Sequence, residues 1–182
     1  MDTTRLLRIG ELAFPGFVVG FIAGVVAGGL AGIVGQPAGW ALVSTISLGI
    51  PLGLLGAGYG LLAAYRKVRI GAFAPMALYW LIAFPIARLV HEMLTWLLLT
   101  GNARLPEDPL GFLAYQALVS AGFAIGFLWL HERLAPRWWR KVADHNTDAA
   151  LVYRAYAEHA KQVYQAREAR RANRDRSRAT QR

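Results

Sequence analysis

No charged residue occurs between Leu12 and Tyr65, and within that run Gly16, Gly20, Gly24, Gly28 and Gly32 recur at strict four-residue spacing. At roughly 20 apolar residues per crossing, the run is long enough to cross a bilayer twice. Four-residue spacing places all five glycines on one helix face, where missing side chains let a second backbone come close. The hydrophobic effect does not press helices together in lipid, so close packing of small residues is one of the few forces that does. This part of the chain is therefore read as membrane helices built to associate, with one another, with further copies or with other subunits.

The rest of the sequence extends the pattern. Four stretches reach spanning length, at about 13–34, 41–64, 72–100 and 109–131. The first follows Arg5 and Arg8 as a secretory signal would, but its apolar run exceeds the usual 7–15 residues and no small-x-small cleavage site ends it. It is read as a retained span. The predicted fold is an all-α, polytopic integral membrane protein. It comprises a four-helix transmembrane domain (1–134), an interfacial segment (135–146) and a cytoplasmic basic helix with a disordered Arg-rich tail (147–182). Pro85 deprives the Leu81 carbonyl of its helical donor and predicts a kink in the third span. A second small-residue face on the second span (Gly49, Gly53, Gly56, Ala57, Gly60) is the expected partner of the glycine ladder, through a hairpin at Gly35-Gln36-Pro37.

Charge in the short loops sets the orientation. Gly35–Trp40 carries none, and Gly101–Asp108 carries Arg104 against Glu107 and Asp108. The 65–71 loop holds Arg66, Lys67 and Arg69, and both termini are basic. The positive-inside rule then puts both termini and the 65–71 loop in the cytoplasm. Trp40 and Trp96 fall near the outer interface, and Tyr65, Trp129, Trp138 and Trp139 near the inner one, as aromatic belts require. The preference for Arg over Lys, with abundant Ala and Gly, points to a GC-rich bacterial genome and so to a bacterial plasma membrane.

The net charge of +9 belongs to the C-terminal part, since residues 133–182 hold 13 Lys/Arg against 5 Asp/Glu. Pro136 is expected to end the fourth helix. Arg137, Trp138, Trp139, Arg140 and Lys141 then suit a segment lying among lipid headgroups. Seven arginines in the last 16 residues suggest three kinds of partner. Anionic lipid is favoured, at about 1 kcal/mol per cation; nucleic acid or ribosomal RNA and an acidic protein surface are the others.

Chemistry has few places to reside. The costly feature inside the membrane is Arg88-x-x-His91-Glu92, on one helix face with Thr95 a turn further, and such groups must face protein or water. Helical rise brings Gln116 and Ser120 of the fourth span, and Ser44, Thr45 and Ser47 of the second, into the same outer layer. Arg88, Glu92, Gln116 and Ser120 thus define a candidate outward-facing polar vestibule, with Arg88 and Glu92 able to pair. Its functional reading is an ion or proton route; its plain reading is a device that fixes helix register.

Specific catalytic signatures are missing from the sequence. Position 95 is Thr, where a zinc-protease helix needs a second His, and the chain holds no cysteine. His91 and His131 lie at opposite ends of their spans and cannot share a haem. Ser44 and Ser47 have no histidine partner evident in the sequence, and no phosphate-cradling loop occurs. His131-Glu132-Arg133 reads as a helix-end cap. No cofactor and no metal are expected, and the leading reading is a non-enzymatic accessory, assembly or scaffold subunit of a bacterial membrane complex. The alternative is a small homo-oligomeric channel or transporter working through Arg88, His91 and Glu92.

Overall fold

The computed structural model describes residues 2–180, apart from the side chains at 175, 176 and 178–180. Five helices follow in order: α1 (Thr3–Ile33), α2 (Ala38–Ala64), α3 (Phe73–Thr100), α4 (Pro109–Val142) and α5 (Thr147–Thr180). The first four are long and apolar enough to cross a membrane and fit a multi-pass membrane protein.

Local chemistry sets most helix ends. Asp2 caps α1 by accepting from the Thr4 amide at 3.2 Å, and Asp108 caps α4 by accepting from Gly111 at 3.0 Å, with Pro109 in the first turn. Gly35 and Gly101 take left-handed φ values of 84° and 76° just past α1 and at the end of α3. At the end of α2 that conformation falls on Arg66, with φ 56°. Its amide reaches the Ala63 carbonyl while Lys67 reaches Leu62, the paired closure that usually places glycine at this position. Both α3 and α4 run on through their internal prolines, Pro85 and Pro136.

The bundle closes as two hairpins. α1 and α2 pack most intimately, α3 pairs with α4, and contacts α2–α3 and α1–α4 complete the ring. The α1–α2 seam explains the glycine ladder. A Cβ on Gly16 would strike the Gly56 backbone, one on Gly20 the Leu52 carbonyl, and one on Gly24 the Gly49 backbone. On Gly28 it would lie 2.6 Å from the Ala41 carbonyl. The fit is reciprocal, because Gly49 and Gly53 of α2 receive the rings of Phe21 and Phe17, which stack at 5.9 Å. Gly32 is exposed, with the Ala41 Cβ 3.9 Å away. Four rungs of the ladder are therefore occupied by α2 of the same chain.

The other seams are aromatic. Tyr59, Trp80, Phe123, Phe127 and His131 meet edge-on or tilted in the middle and lower bundle, with ring centroids 4.6–5.7 Å apart for successive contacts.

Two expectations about the C-terminal part are corrected. Residues 135–142 are not a separate segment but the last turns of α4, which continues through Val142. Trp139 is fully buried and donates to the Leu12 carbonyl at 3.2 Å, while the Trp138 indole donates to the Glu11 carbonyl at 2.8 Å. Pro15 is the reason for the second bond: lacking an N–H, it leaves the Glu11 carbonyl without its helical donor, and Trp138 supplies one. α4 tolerates Pro136 at the loss of a single bond to the Glu132 carbonyl, while Ala135, Trp139 and Val142 stay buried on one face. The tail expected to be disordered from Arg167 instead continues as α5 through Thr180, because Ala, Arg, Glu and Gln are strong helix formers. Gln181 and Arg182 lie outside the described residues.

Candidate functional site

Two hydroxyls of the spans, Ser47 and Thr95, meet His91 of α3. Its Nδ1 lies 2.7 Å from Ser47 Oγ of α2 and 3.4 Å from Thr95 Oγ1, and the two hydroxyls are 3.1 Å apart. Ser47 is buried, and the sequence held no sign of this pairing across 44 positions. The Ser47 hydroxyl also lies 2.6 Å from the Val43 carbonyl of its own helix. The direction of the Ser47–His91 bond follows the imidazole tautomer, and the Thr95 hydroxyl can complete the set as donor or acceptor. The cluster ties α2 to α3.

The neighbours of His91 divide. Glu92 accepts from the Trp96 indole at 3.2 Å on its own helix. Arg88 is half-buried, and among the described residues no carboxylate lies within ion-pair distance of it, so the Arg88–Glu92 bridge that the spacing allows does not form. A spacing of four residues permitted that pair, but Glu92 turns toward Trp96 instead. Gln116 and Ser120 are buried on α4, and the Ser120 hydroxyl donates to Ala117 at 2.6 Å in its own helix. Among the described residues no hydrogen bond links either of them to Arg88 or Glu92. The layer predicted from helical rise exists as residues at matching positions, divided into local pairs.

The opposite end of the bundle, where α1 begins, is more tightly built than the sequence suggested. Asn146 is fully buried in the α4–α5 turn. Its amide nitrogen donates to the Arg8 carbonyl at 3.0 Å and to Glu11 Oε2 at 2.9 Å, while its Oδ1 caps α5 by accepting from Ala149 at 3.1 Å. His145 completes the arrangement with a 2.7 Å contact to Glu11 Oε1. One turn into α5, Ala149, Val152 and Tyr156 are buried, and the Tyr156 hydroxyl donates to Glu132 at 3.1 Å. Burial, followed by the nearby Glu132 charge, pushes the Tyr156 phenol well above its ordinary range, so it stays a donor. A capping Asn before Thr147 was the available signal for the turn; nothing local pointed to Glu11.

His131 overturns its reading as a helix-end cap. It is fully buried, its ring lies 5.5 Å from those of Tyr59 and Phe127 and 5.9 Å from Trp139, and neither nitrogen has a protein partner. It serves the core as a flat aromatic surface. Comparison with family models, with curated proteins and with solved structures finds no match to this chain.

Proposed function

We propose that the protein is a non-enzymatic accessory or scaffold subunit of a membrane complex, held by its four spans and engaging its partners through α5. The observation that carries this reading is the form of α5. Its last buried residue is Tyr156, and every described side chain beyond it is exposed. At about 1.5 Å per residue the remaining helix is an arm of roughly 36 Å. His159 still abuts Gly71, but beyond Gln162 the helix projects with mostly polar side chains, and such a helix draws its stability from local pairs or from a partner. The clustered arginines give that partner an anionic surface, either lipid headgroups or acidic protein, with nucleic acid as the third chemistry. The arginine-rich termini and the 65–71 loop support a bacterial plasma membrane with both termini cytoplasmic.

The polar cluster agrees with this reading, since Ser47, His91 and Thr95 satisfy one another. The channel alternative retains one observation of its own, an Arg88 half-buried within a span and without an ion pair among the described residues. Two variants separate the readings. A chain ended after Glu158 keeps the buried contacts of α5 and removes the arm. If the arm engages partners, this chain inserts and folds, but subunits that co-purify with the full chain from its native membrane are lost. In the same preparation Glu92→Gln leaves co-purification unchanged. Retained partners after truncation, or altered ion flux with Glu92→Gln, would transfer the argument to the channel.

A further inference from the structure

We infer that the groove between α1 and α4, at the end where α1 begins, is a binding site for one anionic phospholipid. Arg137 and Lys141 would hold its phosphate, and an acyl chain would lie along Phe14, Val18 and Leu134. The inference rests on the reading that α1 and α4 cross a bilayer, and goes beyond it by assigning a discrete site away from the arginine-rich arm.

Three observations converge on this groove. Its floor is apolar, formed by Phe14, Pro15, Val18 and Leu134, with a volume of about 280 Å3. That is just below the range of roughly 300–1,000 Å3 for pockets that enclose a whole small molecule, so it suits a length of chain. One wall is fixed in advance. The Trp138 ring packs tilted against Phe14 at 4.5 Å, and its indole is anchored to the carbonyl that Pro15 leaves free. The mouth is doubly cationic, because Arg137 and Lys141 are exposed one turn apart and both line the groove.

Like charges at this spacing repel, and among the described residues no carboxylate lies within ion-pair distance of either. The nearby Glu11 carboxylate is already taken by His145 and Asn146. Depth agrees with the assignment. A span entering near Pro109 uses up about 30 Å of hydrocarbon by residue 130, which leaves Leu134 at the boundary and Arg137 and Lys141 among the phosphates. Val18 lies one turn deeper than Phe14, so the groove leads from the headgroup layer toward the acyl region. A phosphate between two cations above an apolar channel matches the two ends of a phospholipid, and a soluble phosphate would leave the channel unused.

The test is native mass spectrometry of the delipidated full chain, incubated with equimolar dioleoyl phosphatidylglycerol and dioleoyl phosphatidylcholine. One retained phosphatidylglycerol per chain is expected, favoured over phosphatidylcholine. In R137Q/K141Q that preference should fall about thirtyfold, roughly fivefold per cation. Val18→Trp fills the groove while keeping both charges, and should expel the lipid from a chain whose helical circular dichroism is unchanged. R167Q/R170Q/R171Q/R174Q, which removes four of the arm's positive charges, should leave the single bound lipid in place. The inference is overturned if R137Q/K141Q retains full preference, if the arm variant loses it, or if glycerol 3-phosphate without chains binds as well. Retention of neither lipid would overturn the bilayer reading as well.

Discussion

Gly24→Ala is the sharpest probe of how this bundle holds together. At Gly24 an added Cβ would fall against the Gly49 backbone and lie 2.8 Å from the Thr45 carbonyl, well inside ordinary van der Waals contact. Backbone cannot rotate away as a side chain can, so α1 and α2 must separate along the seam. Inserting one methyl group into a packed interior costs about 1–3 kcal/mol, and the rigid neighbour puts this site at the upper end. Alanine returns about 1 kcal/mol through its better helix propensity, leaving a net loss of about 2 kcal/mol.

Gly32→Ala is the internal control. Its new Cβ would meet only the Ala41 Cβ at 3.9 Å, so the propensity gain stands unopposed and the variant should be neutral or slightly more stable. Unfolding both variants by denaturant titration in the same detergent measures the difference directly, with mass photometry reporting the oligomeric state. Equal stabilities for the two variants would refute the seam. So would a Gly24→Ala protein that keeps its stability but changes its oligomeric state, which is the signature of a ladder facing another copy.

Two further substitutions test the helix ends. Arg66→Gly should raise stability by about 0.5–1 kcal/mol in the same titration, because an L-residue in the left-handed region carries a cost that glycine avoids; a loss of stability would mean that the Arg66 side chain contributes more than its backbone costs. Asn146→Ala removes two donated bonds and the α5 cap from a fully buried site, for an expected loss of about 2–4 kcal/mol. Hydrogen exchange should show faster amides at Ala149 and Ala150, and unchanged protection there would exclude the capping role.

Much of the architecture is written in one dimension. Length and apolarity mark four helices able to cross a membrane, Asp2 and Asp108 mark starts, and Gly35 and Gly101 mark ends, because each depends only on neighbours within a turn or on transfer to an apolar phase. The four-residue ladder likewise marks one special face of α1, and the spacing of Arg88, His91 and Glu92 another on α3. Residues 135–142 show where such reading stops. Pro136 breaks a helix by local rule, yet α4 continues because Trp138 and Trp139 find carbonyls on α1 some 127 positions away.

What a face meets was decided by tertiary structure. Periodicity gives the angular position of a side chain on its own helix, but contact between two helices depends on the rotation and axial offset of both. Those are settled by all the seams closing together. Hence Gly24 meets Gly49, His91 meets Ser47 while Glu92 turns to Trp96, and His131 lies in an aromatic cage instead of capping its helix. Asn146, unremarkable in the chain, becomes the bond between its two ends.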